Sequence, residues 1–226
     1  MTYNEFKKIV KISKEEISGQ ILERNRDSIK VKKEEKVIEN LIRIIDATLK
    51  ICSKKSFQAM SIRDLSAESG LSGGALYSYF SSKEELLVLI QTQGREIANR
   101  VLVDQVVKSS DPVEKLRIAI KSHIYLSEAM RNWFYFTYIE ARNLPKNEQK
   151  LAIESELQTE KLFIDIINGG IEEKVFRDEN VVLVASVIKA MLQDWYLKSW
   201  KYRNRKVSVD DYADFVIHVA ESILLI

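Results

Sequence analysis

The stretch SIRDLSAESG LSGGALYSYF SSKEEL, residues 61–86, decides the fold of this chain. Ser61 precedes a helical run and Asp64 follows three residues later, so the hydroxyl and the carboxylate can each accept a backbone N–H at the helix start. Gly70 stands where a helix end usually needs a left-handed residue, and the Ser72 hydroxyl can cap a second helix directly afterwards. The stretch therefore predicts two short helices joined by a tight turn.

The second of these helices is predicted to have an apolar inner face and a small, polar outer face. Leu76 and Phe80 lie one helical turn apart and face inward, which leaves Gly74 and Ser78 on the opposite side. A third helix begins at Ser82-Lys83-Glu84-Glu85, where a capping box and the Lys83 ammonium together offer a seat for a phosphate. This layout is that of a helix-turn-helix (HTH), whose second helix lies against base edges in DNA.

The order of these residues resembles the tetracycline-repressor (TetR) family of bacterial one-component regulators. The positions that carry the resemblance are Ser61, Arg63, Asp64, Leu65, Gly70, Leu71, Ser72, Gly74, Leu76, Tyr77, Tyr79, Phe80, Lys83, Glu84, Glu85 and Leu86. The detailed resemblance covers residues 34–90, and the remainder agrees in length and helical content. It implies an all-α protein with an N-terminal extension over 1–32, a three-helix HTH DNA-binding domain over 33–86, and a helical ligand-binding and dimerisation domain over 87–226.

The resemblance also implies which residues contact DNA. In the family the recognition helix enters the major groove, and phosphates are contacted by residues matching Tyr77, Tyr79, Lys83 and Ser61. The expected contact set is Ser61, Arg63, Ser72, Gly73, Gly74, Ala75, Tyr77, Ser78, Tyr79 and Lys83. Because this set holds few basic side chains, we expect hydroxyl, backbone and helix-terminus contacts to phosphate to carry much of the affinity, and DNA shape to contribute to selectivity.

Composition agrees with an all-helical protein. The 226 residues are 46% hydrophobic with only seven Gly and two Pro, and no run alternates with period two. A single cysteine excludes an internal disulfide and fits a reducing cytoplasm, and no run of about 18 apolar residues suggests a membrane span. We therefore expect a cytoplasmic protein without a membrane partner, although its formal net charge of +2 would not by itself indicate a nucleic-acid binder.

The first 30 residues leave two alternatives open. Phe6, Ile9 and Ile17 belong to an apolar series at helical spacing, and Ser13 can cap a helix, which favours a segment packed on the body. The segment is also rich in lysine, which favours a mobile basic arm that reaches DNA phosphate or the minor groove.

The remaining chain predicts five long helices. They are expected from about Lys33 to Lys54, from Leu86 to about Val107, from Asp111-Pro112 onward, from Asn147 to Asn168 with Gly169-Gly170 as the stop, and from Asn180 to Trp200, followed by a last helix that Ser208 and Asp211 cap. The Asn180–Trp200 helix is apolar nearly all round and must be buried on all sides. By the resemblance, the last two helices would pair with their symmetry mates in a homodimeric four-helix bundle.

An effector site is expected in this C-terminal region. Residues 133–138 hold five aromatics in six positions, so some must line a cavity, a subunit contact or the surface. His123 lies on an apolar stripe, where it is either a hydrogen-bonded core residue or a ligand contact. The candidate ligand-binding set is His123, Trp133, Phe134, Tyr138, Phe163 and Trp195. The segment 192–217 loosely resembles relatives that sense fatty-acyl compounds, so the expected effector is small and apolar or amphipathic.

Three functions compete at this point. The first is a ligand-responsive repressor that binds a palindromic operator as a homodimer and is released by its effector. The second is an enzyme, but neither histidine follows a Glu by three residues and no nucleophile elbow is present, so we expect no catalytic residue, metal or cofactor. The third is a helical ligand-binding or adaptor protein whose HTH is structural and binds no DNA, which salt-dependent DNA binding would distinguish.

Overall fold

The computed structural model describes residues 1–226 and confirms the all-helical class. The helices are α1 (Tyr3–Ile9), α2 (Lys14–Arg24), α3 (Glu34–Cys52), α4 (Ile62–Ser69), α5 (Gly73–Leu76), α6 (Lys83–Val106), α7 (Pro112–Ala129), α8 (Arg131–Glu140), α9 (Lys146–Glu172), α10 (Val181–Leu197), α11 (Ser199–Asn204) and α12 (Val209–Leu224), with a 3-10 turn at Ala141–Asn143. None of these helices combines the length and the apolar character that crossing a bilayer requires.

The chain forms two compact units. The HTH unit comprises Lys11–Arg95 and Asn132–Ala152, and the bundle unit comprises Met1–Val10, Glu96–Arg131 and Ile153–Ile226. The long helices α6 and α9 each contribute residues to both units. The functional domain boundaries expected at residues 32 and 86 stay a prediction.

The HTH unit is built around α3. Its buried stripe includes Leu41, Ile44 and Ile45, and α2, whose Ile17 and Ile21 are buried, packs against α3. This apolar stripe recurs every three to four residues, which places it on one face of the helix.

Cys52 ends the same stripe and is half-buried. Burial, with the Glu140 carboxylate adding to it, raises the pKa of this thiol to about 12. The group is therefore a protonated packing residue.

The N-terminal extension is helical. A Thr2–Glu5 capping box begins α1, whose Phe6 side chain is fully buried in the bundle unit against the Tyr125 ring, with 5.7 Å between the ring centroids. The Ser13 hydroxyl caps α2 in the HTH unit by accepting the Glu16 N–H at 3.2 Å. Of the two alternatives for the extension, the packed one is confirmed for these residues.

The bundle unit is organised by α7, which packs against α10 and α12. The Asp111 carboxylate caps α7 by accepting the N–H groups of residues 113 and 114, and Pro112 occupies its first position, as predicted. Polar contacts tie α7 to α12: the Arg117 guanidinium bonds Glu221 at 2.6 Å, and the Tyr125 hydroxyl donates to Asp210 at 2.6 Å.

The prediction that Gly169-Gly170 stops a helix is wrong, because α9 continues to Glu172. A Cβ built on Gly170 would lie 2.0 Å from the Phe176 ring, so this glycine serves the close approach of an aromatic side chain. The sequence indicated that a glycine is required here, but the requirement comes from a tertiary contact and not from a helix end.

Candidate nucleic-acid interface

The predicted turn between two short helices is present. Ser61 and Asp64 form the expected capping box at the start of α4, and Gly70 ends the helix with a φ of 68°. Ser72 caps α5 by accepting the Ala75 N–H at 3.2 Å. The recognition helix α5 is shorter than predicted and ends at Leu76, yet Phe80 beyond it is still buried, so the inward side is as expected.

A polar network that sequence reasoning missed holds this turn against α3. The Arg43 guanidinium donates to the Ser69 carbonyl at 2.9 Å, and Arg43 Nη1 lies 3.5 Å from the Asn40 side-chain oxygen. The Asn40 amide in turn donates to the Tyr79 hydroxyl at 2.7 Å. Arg43 and Asn40 of α3 thus form hydrogen bonds to the HTH at the end of α4 and just beyond α5.

Most of the predicted contact residues reach solvent around α4 and α5. Exposed members are Ser61, Arg63, Ser72, Gly74 and Tyr77, and part-exposed members are Gly73, Ala75, Ser78 and Lys83. Tyr79 is placed apart from them: it is 2% exposed, and its hydroxyl accepts from Asn40. Nine of the ten candidates are therefore accessible to solvent in or directly beside the HTH.

Lys83 is already engaged at the start of α6. Its ammonium donates to the Gln58 carbonyl at 3.1 Å and lies 5.4 Å from the Phe57 ring centroid. The Ser82 hydroxyl caps the helix by accepting the Glu85 N–H at 3.2 Å. The Lys83 ammonium therefore lies at the start of α6, as predicted, and is held there by Phe57 and Gln58 of the segment before α4.

That segment is held by α8. The Glu140 carboxylate is 2% exposed and accepts the Phe57 N–H at 3.0 Å, while the Phe136 ring meets the Phe57 ring edge-on at 5.9 Å. Gln58 donates to Asn143 at 3.0 Å. The Glu140 carboxylate therefore satisfies a buried backbone N–H of the segment before α4. No local sequence pattern around Glu140 indicated this role.

Three candidate effector residues lie in the HTH unit, on different sides of α8. Trp133 is 7% exposed and donates its indole N–H to the Ile90 carbonyl at 3.0 Å, beside Gly94 of α6. Phe134 is half-buried, and Tyr138 is 48% exposed. The aromatics are spread around the helix, as their spacing predicts.

The other three candidates lie in the bundle unit and are all buried. They are His123, Phe163 and Trp195, and the Trp195 indole N–H donates to Glu128 at 2.9 Å. The structure thus divides the predicted effector set between its two units.

Lys189 is a buried charged residue in the otherwise mostly apolar helix α10. It is 5% exposed and pairs with Glu156 at 3.2 Å, and burial lowers its pKa. Burial, together with the nearby Lys189 charge, also holds the pKa of His123 well below 6.5. His123 is therefore a neutral imidazole in the core of the bundle unit.

A cavity of about 390 Å³ lies in the bundle unit near α7 and α12. Charged side chains of both signs line it, including Arg117, Lys121, Asp214 and Glu221, and the six candidate effector residues do not. Because Arg117 pairs with Glu221 and Lys121 pairs with Asp214, these charges are mutually compensated. No group of three His, Cys, Asp or Glu side chains is arranged to hold a metal ion.

Known proteins share both the sequence pattern and the fold. The model described as "Bacterial regulatory proteins, tetR family" matches residues 44–90, and that described as "Tetracyclin repressor-like, C-terminal domain" matches residues 109–221. The HTH-type transcriptional regulator HbdR of Aromatoleum sp. (strain CIB) is 24% identical over 79% of this chain and 77% of its own length. The HTH-type transcriptional repressor KstR2 of Mycobacterium tuberculosis is 29% identical over 65% and 74%.

Solved structures agree in fold. The ketosteroid transcriptional regulator KstR2 of Mycobacterium tuberculosis superposes with a TM-score of 0.73 at 20% identity, covering 81% of this chain and 93% of that one. AibR in complex with isovaleryl coenzyme A and operator DNA gives a TM-score of 0.70 at 16% identity, covering 82% and 97%. With one family model on the HTH and a second over half the chain, this protein belongs to the tetR family of bacterial regulatory proteins.

Proposed function

We propose that this chain is a ligand-responsive transcriptional repressor that acts in the cytoplasm as a homodimer on a palindromic operator. It works by binding and carries out no chemical step. The observation that carries the proposal is the HTH itself: a left-handed Gly70 turn, locked to α3 by Arg43 and Asn40, presents α5 with its exposed side outward. Such an exposed helix after a tight turn is suited to the major groove.

The DNA-contact surface in this proposal is the outer side of the HTH. Tyr77, 47% exposed, and the hydroxyls of Ser61 and Ser72 would bind phosphate oxygens, while Gly74 allows the α5 backbone to approach the bases. Tyr79 takes a different part, because its buried hydroxyl is bonded to Asn40. Its role is to position α5 from beneath.

Operator binding tests this assignment directly. The duplex is one that the wild-type protein selects from a random-sequence pool, and affinity is measured by fluorescence anisotropy. Tyr77→Ala should weaken binding roughly tenfold or more, since the symmetric dimer loses a hydrogen bond of about 1 kcal/mol from each subunit. The matched control is Tyr135→Ala, which removes another exposed tyrosine of the HTH unit. Equal affinity of both variants and the wild type would contradict the proposed surface.

The dimer surface is proposed on α10 and α12. Val182, Leu183 and Val187 of α10 and Phe215 of α12 are between 50% and 62% exposed in the single chain, although the sequence predicts the Asn180–Trp200 helix to be buried on all sides. A partner subunit that covers them would remove this apolar area from water, and dimers are typical of the family. Two HTH units related by a two-fold axis would then read two half-sites.

The effector is proposed to be an apolar or amphipathic molecule of fatty-acyl type that binds in the bundle unit, whose core contains the candidate residues His123, Phe163 and Trp195. Support for an acyl compound comes from AibR, whose structure contains isovaleryl coenzyme A. An effector that lowers operator affinity 5- to 150-fold would correspond to a coupling free energy of roughly 1–3 kcal/mol. Native mass spectrometry of protein purified from its source would identify a retained molecule and the subunit number together.

A further inference from the structure

The loop before α3 lies against the end of the recognition helix. Ile29 is 6% exposed and anchors the loop, and the next residue, Lys30, donates its backbone N–H to the Ser78 carbonyl at 2.9 Å. Ser78 is two residues beyond α5. The loop is therefore fixed beside the recognition helix, inside the same compact unit.

A second contact places another lysine on the same side. Asn40 of α3 bonds the hydroxyl of Tyr79, the residue after Ser78, at 2.7 Å. Lys36 lies one helical turn before Asn40 and shares its face of α3. Two independent hydrogen bonds thus bring lysine-bearing segments to the C-terminal side of α5.

The lysines at this place have no internal partner. Lys30, Lys32 and Lys36 are exposed and form no ion pair, and we call them the basic flank. Two neighbouring acids are already matched, since Glu34 pairs with Arg26 and Glu35 lies 3.8 Å from Lys33. The three ammonium groups of the flank still outnumber the two nearby carboxylates that form no ion pair, those of Asp27 and Glu39.

The recognition helix itself lacks positive charge. Residues 73–76 are Gly-Gly-Ala-Leu, and the only basic side chains in the predicted contact set are Arg63 and Lys83. A helix placed in a groove about 12 Å wide is bordered by phosphates on both strands. Lysine side chains directly beside the end of α5 would therefore lie next to the phosphates of one DNA strand. Their long, flexible stems would let the ammonium groups follow the DNA backbone.

We propose that the basic flank binds the DNA backbone beside the groove that α5 enters, and that it supplies a sequence-independent share of the affinity. This inference rests on the proposed function, which it extends to residues 30–36, outside the 44–90 stretch that the N-terminal family model matches. Each lysine that neutralises a phosphate releases counterions, so the flank should raise the salt dependence of binding without changing which sequence is preferred.

The test compares two double variants with the same loss of charge. Lys30→Ala/Lys32→Ala removes the loop cations of the flank, whereas the control Lys8→Ala/Lys11→Ala removes two exposed lysines of the N-terminal segment. Affinity for the wild-type-selected duplex and for a scrambled duplex is measured at several salt concentrations. With two lysines in each of two subunits, the slope of log K against log salt should become shallower by about 2 to 4 for the flank variant.

The affinity of the flank variant should fall roughly tenfold or more at about 0.1 M salt, to a similar extent on both duplexes. The control should keep the wild-type slope, and Lys30→Arg/Lys32→Arg should retain it as well, with far-UV circular dichroism confirming equal folding. A wild-type slope in the alanine flank variant, or an equal change in both alanine variants, would overturn the inference. In either case the proposed function stands, because it fails only if the wild-type protein selects no duplex or Tyr77→Ala binds like wild type.

Discussion

Gly70→Ala is the sharpest probe of how the HTH is held together. Gly70 has a φ of 68°, and a Cβ built on it would lie 2.6 Å from Arg43 Nη2. An alanine in the left-handed region costs roughly 1–2 kcal/mol, of which the lower entropy of the unfolded chain returns roughly 0.4–1 kcal/mol. The guanidinium must also move, which weakens its charged hydrogen bond to the Ser69 carbonyl, a bond of roughly 1.5 kcal/mol.

The expected loss is therefore about 2 kcal/mol, or a fall in Tm of roughly 4–8 °C for a chain of this length. Urea unfolding followed by circular dichroism measures it. The matched control is Gly19→Ala in the interior of α2, where an added Cβ meets nothing within 4 Å and helix propensity should stabilise the protein by roughly 0.5–1 kcal/mol. Opposite signs are required: a neutral or stabilising Gly70→Ala would refute the account of the turn and its Arg43 lock.

Two further predictions concern the bundle unit. Because the pKa of His123 lies well below 6.5 in the folded protein, the unfolded chain binds the extra proton below that pH, so stability falls on acidification by up to about 1.4 kcal/mol per pH unit. His123→Gln should flatten this dependence relative to the wild type in urea titrations between about pH 7 and 5. Leu183→Asp should convert dimer to monomer in light scattering, because it places a charge on the proposed α10 and α12 surface, while Leu151→Asp in the HTH unit should leave the subunit number unchanged. An unaltered pH profile or an intact Leu183→Asp dimer would contradict the respective assignment.

Local signals were the part of the fold that the sequence specified well. The boxes at Ser61–Asp64 and Ser208–Asp211, the Asp111-Pro112 helix start and the left-handed Gly70 are all present. Each depends on atoms within about four residues, so the sequence alone contains the interacting groups. The same reasoning predicted the family and the HTH layout.

Tertiary signals were the part that sequence reasoning could not supply. Gly170 resembles a helix stop until the Phe176 ring is found against it, and Lys189 resembles an interruption until its burial beside Glu156 is known. The sequence alone does not distinguish Tyr79 from Tyr77 as a DNA-contact candidate. In the structure, however, the Tyr79 hydroxyl accepts a hydrogen bond from Asn40, which lies 39 residues earlier in the chain. These distinctions depend on which distant segments meet, and no spacing rule encodes that.

The lock between α3 and the HTH explains how so short a recognition helix can be presented at a fixed angle. A helix of four residues has almost no internal hydrogen bonding, and helices this short are not stable by themselves. Burial of Leu76 and Phe80 holds it against the core, but apolar burial has no direction and would allow the helix to rotate. The bonds from Asn40 to Tyr79 and from Arg43 to Ser69 are directional, and leaving a buried partner unpaired costs about 1–3 kcal/mol. The orientation of the exposed residues of α5 is therefore set by the polar side chains of α3.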